Sequence, residues 1–163
     1  GKCLSNPITP CCGNNICEKG ETCPADCKKP VEVTPETLEG IKDLARSDPV
    51  KAAKLCSELE VPDVKDTCMS NIGEVQKDKE YCNNIASGKI KDSCISNIAK
   101  SLNDKSLCAG INNDGIRDSC YAYFFVPPNK DYSVCGILTN KNLRDSCNAL
   151  RQLDELHKEI PQQ

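Results

Sequence analysis

Fourteen of the 163 residues are cysteine, and no other residue type in the chain could carry as much chemistry. Eight of them fall at 56 and 68, 82 and 94, 108 and 120, and 135 and 147, each pair separated by the same 11 residues. The other six, Cys3, Cys11, Cys12, Cys17, Cys23 and Cys27, crowd the first 27 residues. An even number at regular spacing is what an oxidised framework requires. A reducing cytosol would leave 14 thiols open to metals and oxidants, so the expected location is extracellular or at a cell surface. No Cys-x-x-Cys pair occurs, which argues against thioredoxin-type exchange. A zinc site built from Cys12, Cys17, Cys23 and Cys27 has tolerable spacing but belongs to a reducing compartment.

Oxygen ligands are the second chemical possibility. Glu18, Glu21 and Asp26, with Asn14 and the carbonyls of residues 13–15, would put several hard oxygens into one small loop, the ligand set that calcium prefers. The same three acids could equally be solvated charges on a disulfide knot. His157, the only histidine, lies on a charged terminal stretch with no partner for base catalysis, and reads as a surface residue. There is no phosphate loop, dinucleotide fingerprint or nucleophile elbow, so the chain is expected not to be an enzyme.

The elements that position these groups repeat. The text around each second cysteine barely changes: Val64-Lys65-Asp66-Thr67-Cys68, Ile90-Lys91-Asp92-Ser93-Cys94, Ile116-Arg117-Asp118-Ser119-Cys120 and Leu143-Arg144-Asp145-Ser146-Cys147. Successive copies are offset by 26, 26 and 27 residues, in the range of stacked supersecondary units. Each repeat reads as two helices. Asp78, Asp104 and Asp131, four residues before a first cysteine, are N-cap candidates for a short helix carrying Ile85, Ile111 or Leu138 three residues after the cysteine. A polar turn follows, with Pro62 and Asp63 in its place in the first repeat. The second helix places Val64, Cys68 and Ile72 on one stripe, as it does Ile90, Cys94 and Ile98, and Ile116, Cys120 and Phe124.

In an antiparallel hairpin the two cysteines of a repeat lie equally far from the turn. The expected disulfides are therefore Cys56–Cys68, Cys82–Cys94, Cys108–Cys120 and Cys135–Cys147. Pairing between neighbouring repeats, such as Cys68 with Cys82, would turn the second cysteine away from its stripe. The recurring Lys/Arg-Asp step suggests a ladder in which each basic group meets an acid of the adjacent repeat. Alternatively, the Asp accepts backbone amides in the first turns of the second helix. A ligand-binding ladder is the third reading.

Ahead of the repeats, residues 28–37 form a Pro-containing linker. Thr34 then caps a short amphipathic helix carrying Leu38, Ile41 and Leu44, which would cover the open first face of the array. In the third repeat Tyr121-Ala122-Tyr123-Phe124-Phe125-Val126-Pro127-Pro128 holds most of the aromatics and reads as core filler or as a contact patch, with Tyr121 or Tyr123 facing out. The last helix, through Leu143, Leu150, Leu153 and Leu156, should cover the far end.

Composition narrows the function further. Aromatics are 4% and Trp is absent, so sulfur must replace a large aromatic core. A net charge of −3 with interleaved signs lacks the clustered basic face of a nucleic-acid binder. No apolar run approaches a membrane span. The chain starts with Gly and shows no export signal, as expected of a processed mature protein.

Two resemblances add to this reading. Residues 12–27 resemble a short Cys-Gly-Asn-Gly-x-Cys-Glu-x-Gly-Glu…Cys-Pro-x-Asp-Cys repeat of bacterial and archaeal secreted and surface proteins, with Asn15 where that family has Gly. The likeness adds weight to calcium. The four repeats resemble disulfide-stapled helical repeats of predicted archaeal surface proteins, which implies a surface location and no established activity. The expectation is an all-α, short disulfide-stapled α-hairpin array (residues 38–163) behind a small irregular cysteine-rich module (1–27) and a linker (28–37). Its expected role is a non-enzymatic extracellular structural or interaction protein, self-assembling through the N-terminal module or binding another surface protein. A calcium-dependent module for a glycan, protein or surface layer is the alternative.

Overall fold

A computed structural model describes residues 34–159. The expected N-terminal module, with its six cysteines and the candidate ligands Asn14, Glu18, Glu21 and Asp26, lies outside the described residues, as does most of the expected linker. The chain divides into two compact units, 1–33 and 34–163. The second begins four residues before the array boundary expected from sequence.

The regular secondary structure of the described residues is all helical, with no strand among them. The helices are α1 (Pro35–Ser47), α2 (Pro49–Ser57), α3 (Pro62–Gln76), α4 (Glu80–Asn83), α5 (Gly88–Leu102), α6 (Asp114–Phe125) and α7 (Lys141–Glu159). Two 3-10 segments, Lys105–Gly110 and Tyr132–Ile137, stand where a short helix was expected in repeats three and four. The reason is local. Asp104 and Asp131 accept the amides of Ser106 and Ser133 two residues on, which tightens the first turn. The turn that follows each first cysteine leaves no room for a longer α-helix. Asp78 holds the Glu80 amide in the same way before the four residues of α4.

Thr34 caps α1 as expected, its hydroxyl accepting from the Thr37 amide at 3.2 Å. Asp48 plays the same part for α2, holding the Lys51 amide at 2.9 Å. At their far ends α3 and α5 close on left-handed residues, Lys77 (φ 54°) and Asn103 (φ 53°). The following amides of Asp78 and Asp104 turn back to Gly73 and Ala99, so both termini recover otherwise orphaned carbonyls.

The long helices α3, α5, α6 and α7 stack in chain order, and the first segments of repeats two to four each pack against the long helices of their own and the preceding repeat. α1 packs on α2 and α3, covering the first face of the array, and Gln76 of α3 donates to the Ala45 carbonyl of α1. The core is sulfur and small aliphatic groups. All eight cysteines of the repeats are buried, together with Ile72, Ile85, Ile98, Ile111, Phe124 and Leu138. They pair within repeats, Cys56–Cys68, Cys82–Cys94, Cys108–Cys120 and Cys135–Cys147, with Cα separations of 5.5–5.9 Å. A 12-residue separation closed this way stabilises by about 3 kcal/mol in the chain-entropy model. Units this short could not hold themselves closed otherwise.

Candidate functional site

The residues with the greatest chemical potential in the array are the acids of the Lys/Arg-Asp step, and three of the four are buried. Asp66, Asp92 and Asp118 are 4%, 2% and 2% exposed. Each reaches across to the following repeat and accepts two consecutive backbone amides immediately before that repeat's long helix. Asp66 holds Ala86 (3.1 Å) and Ser87 (2.7 Å). Asp92 holds Asn112 (3.2 Å) and Asn113 (2.8 Å). Asp118 holds Thr139 (3.0 Å) and Asn140 (2.6 Å), and takes a further bond from the Thr139 hydroxyl at 2.7 Å.

Ser87 and Asn113 are the cap residues of α5 and α6, and Asn140 likewise caps α7 by accepting the Leu143 amide. The carboxylate therefore meets the positive end of a helix through charge-assisted bonds, satisfying two donors that would otherwise be stranded. One helix supplies the latch and the next supplies the amides, so stacking register is set by a bond between repeats.

For Asp118, burial is the largest influence and pushes its carboxyl up. The bonds from the Thr139 amide and hydroxyl and the Asn140 amide outweigh it, and the group sits below the ordinary carboxylate range. Asp131 is also lowered, first by the Lys105 ammonium and then by the Ser133 hydroxyl, against burial. Lys105–Asp131 is an ion pair between neighbouring repeats, but neither residue belongs to the Lys/Arg-Asp step.

The expected ladder of basic groups meeting acids of adjacent repeats is not what these residues build. Each of the three buried acids is occupied by amides. Lys65, Arg117 and Arg144 turn back to carbonyls of their own repeat, Ser57 (2.8 Å), Ile111 (3.3 Å) and Leu138 (3.0 Å), at the end of the first segment. A cation suits those carbonyls, which carry the negative end of a short helical turn. The alternative, an Asp accepting helix-start amides, matches the geometry, except that the amides belong to the next repeat rather than to its own helix.

Lys91 departs from the pattern. Its side chain has no hydrogen-bond or ion-pair partner among the described residues. It lines a cleft of about 380 Å³ with Lys79, Glu80, Asn83, Ile95 and Ser106, between α4, α5 and the Lys105–Gly110 segment. In the next groove along, Lys105 crosses to Asp131 and Ser133.

Asp145 repeats the motif without its function. Among the described residues no amide of another repeat meets it, its side chain is 58% exposed, and it pairs only with Lys141 one turn back, at 2.7 Å. Tyr121, one of two aromatics expected at a contact surface, is core: it occupies the register position of Met69 and Ile95 and is 6% exposed. Tyr123 stays at the surface at 39%, its ring edge-on to Phe124 at 5.3 Å. His157 is exposed on α7 and its Nδ1 lies 2.7 Å from the Leu153 carbonyl. Among the described residues no group of three or more His, Cys, Asp or Glu side chains could hold a metal ion, and no helix is long and apolar enough to cross a membrane.

Sequence reasoning missed the reach of the buried acids. The available signal was a constant interval: each Asp precedes its two amides by 20 and 21 residues, or by 21 and 22 across the repeat that is one residue longer. No protein-family model matches the chain, and neither the curated proteins nor the solved structures give a match.

Proposed function

We propose that this chain is a non-enzymatic structural and interaction protein of the cell exterior, a rigid helical arm that self-associates or docks on another surface protein, with the N-terminal module as one docking element. The observation that carries this reading is the use of its ionisable groups. The recurring acids latch repeat to repeat, and three of the four recurring bases tie repeats internally. A chain that commits its repeated charges to rigidity has the economy of a scaffold, and stacked repeats present extended surfaces. Four intra-repeat disulfides call for an oxidising compartment, which supports an extracellular or surface location.

The test is sedimentation and negative-stain electron microscopy of the full oxidised chain over a wide concentration range. Ordered oligomers or filaments are expected, and loss of residues 1–27 should reduce them. A monodisperse monomer at high concentration that captures no partner would remove the reading. The second reading, a calcium-dependent binding module, is favoured by the oxygen-rich loop of Asn14, Glu18, Glu21 and Asp26. Titration calorimetry of the full chain with calcium decides it, and absence of heat with those residues intact would eliminate it.

A further inference from the structure

The fold repeats its grooves as it repeats its helices, and the groove between repeats two and three stays open. Between repeats three and four, Lys105 crosses to the Asp131 carboxylate and the Ser133 hydroxyl. One groove earlier the same three places hold Lys79, Asp104 and Ser106. Here the Lys79 side chain has no hydrogen-bond or ion-pair partner among the described residues. Asp104 is served instead by Ser106, whose amide (2.9 Å) and hydroxyl (2.7 Å) both donate to it. Those two bonds are the main influences that lower the Asp104 carboxyl, and Lys79 adds a weaker pull through space.

Lys91 is the second cation left over. Its counterparts Lys65, Arg117 and Arg144 are spent on carbonyls of their own repeats, whereas Lys91 lines the open cleft together with Lys79. At about 380 Å³ the cleft has room for one small molecule, near the lower end of the roughly 300–1,000 Å³ of ligand pockets. The two ammonium groups outnumber Glu80, the one carboxylate of the lining, so the cleft favours an anion. The remaining groups narrow its chemistry. Glu80 accepts from Asn83 through Oε2 at 3.0 Å, and its other oxygen has no partner among the described residues. The Ser106 hydroxyl donates to Asp104 and can only accept from a ligand. A bare sulfate or phosphate brings no proton for these acceptors at full charge, and Glu80 repels its multiple charge. A ligand with hydroxyls satisfies them. Asn83 and Asn112 can donate or accept, and Ile95 and Leu107 supply an apolar wall.

We propose that this cleft binds a small hydroxylated monocarboxylate, the chemistry of a single uronic acid. Its carboxylate meets Lys79 and Lys91, its hydroxyls donate to Glu80 and Ser106 and bond with Asn83 and Asn112, and its carbon face rests on Ile95 and Leu107. The site requires neither self-association nor calcium. Lysines in an open cleft hold an anion weakly, so binding is millimolar and weakens as salt rises.

The test is an NMR titration of the full oxidised, nitrogen-15-labelled chain with sodium glucuronate, exchanged against sodium chloride at constant ionic strength with EDTA present. Saturable shifts are expected at the side-chain amides of Asn83 and Asn112 and the backbone around them. Lys91→Gln should weaken binding by about fivefold or more and leave Tm unchanged, because that side chain holds nothing in the free protein. Lys89→Gln removes the same charge from the same helix outside the cleft, and should bind as the native chain does. Glucose keeps the ring and most of the hydroxyls without the carboxylate, and should also bind about fivefold or more weakly. No saturable shift with glucuronate overturns the site. Equal binding by Lys91→Gln moves it elsewhere and overturns the assignment to this cleft, and glucose binding as well as glucuronate overturns recognition of the anion.

Discussion

Removing the Asp92 carboxylate should destabilise the array far more than removing that of Asp145, although both occupy the same place in the same short motif. Asp92 is 2% exposed and accepts from the amides of Asn112 and Asn113 at 3.2 and 2.8 Å. Hydrogen bonds to a charged group contribute about 1.5–3 kcal/mol each. Asn112 and Asn113 are themselves exposed, so water recovers part of that loss. We expect Asp92→Ala to lose roughly 3–4 kcal/mol on this basis, which at about 2–4 °C per kcal/mol for a chain of this size lowers Tm by roughly 6–16 °C. Asp92→Asn keeps one acceptor but turns a donor toward a donor, and should fall between the two. Asp145 meets only Lys141 in an exposed i, i+4 pair, so Asp145→Ala should change stability by about 0–0.5 kcal/mol. Guanidinium unfolding of the oxidised protein followed by helical circular dichroism measures all three. Hydrogen exchange at the Asn112 and Asn113 amides supplies the local readout, with protection lost only in the Asp92 variants. If Asp92→Ala and Asp145→Ala agree within about 1 kcal/mol, the latch is not what holds the repeats in register.

Other expectations follow from the same contacts. The folded-state carboxyl of Asp118 is lowered from 3.8, and a depressed carboxyl contributes stability that is present above that value and lost as pH falls through the folded one. Unfolding curves should therefore be nearly flat from about pH 5 to 8 and weaken below about pH 4, with Thr139→Val reducing the acid-dependent part. Replacing Cys108 and Cys120 together by Ala should lower stability by roughly 2–4 kcal/mol, and full reduction should abolish the cooperative transition, both read by denaturant titration. Gly73→Ala would ordinarily stabilise a helix by about 1 kcal/mol. Here the added Cβ would meet Cys94 Sγ at 3.2 Å and the Asp78 carbonyl at 3.3 Å, both held in place. A net loss of about 0.5–1.5 kcal/mol is expected instead, and a gain in Tm would show that neighbouring repeats can part more easily than this packing implies.

Much of this architecture is legible in the chain because its signals are local or periodic. The interval of 11 residues between paired cysteines, with a turn midway, leaves an antiparallel hairpin as the simplest closure, and all four disulfides follow it. Thr34 could be recognised as a cap because a hydroxyl reaches an amide three residues on without help from the rest of the fold. The shortness of the first segments was less visible. An Asp before a helix looks the same in sequence whether the turn it starts is α or 3-10.

What the order of residues determined by itself is the repeat, its sulfur staples and the helical class, since each depends on neighbours within about a dozen positions. Only the tertiary structure decided what the charges and surface apolar groups do. Asp66, Asp92, Asp118 and Asp145 are indistinguishable in their local text, yet three are buried latches and the fourth is a solvated surface charge. The difference is whether amides of a neighbouring repeat stand opposite the carboxylate. Leu150 and Leu153 both read as cover for the end of the array, but one is half-buried and the other faces outward. A carboxylate or a leucine takes its role from what stands opposite it, and that partner is set by the stacking of whole units rather than by adjacent residues.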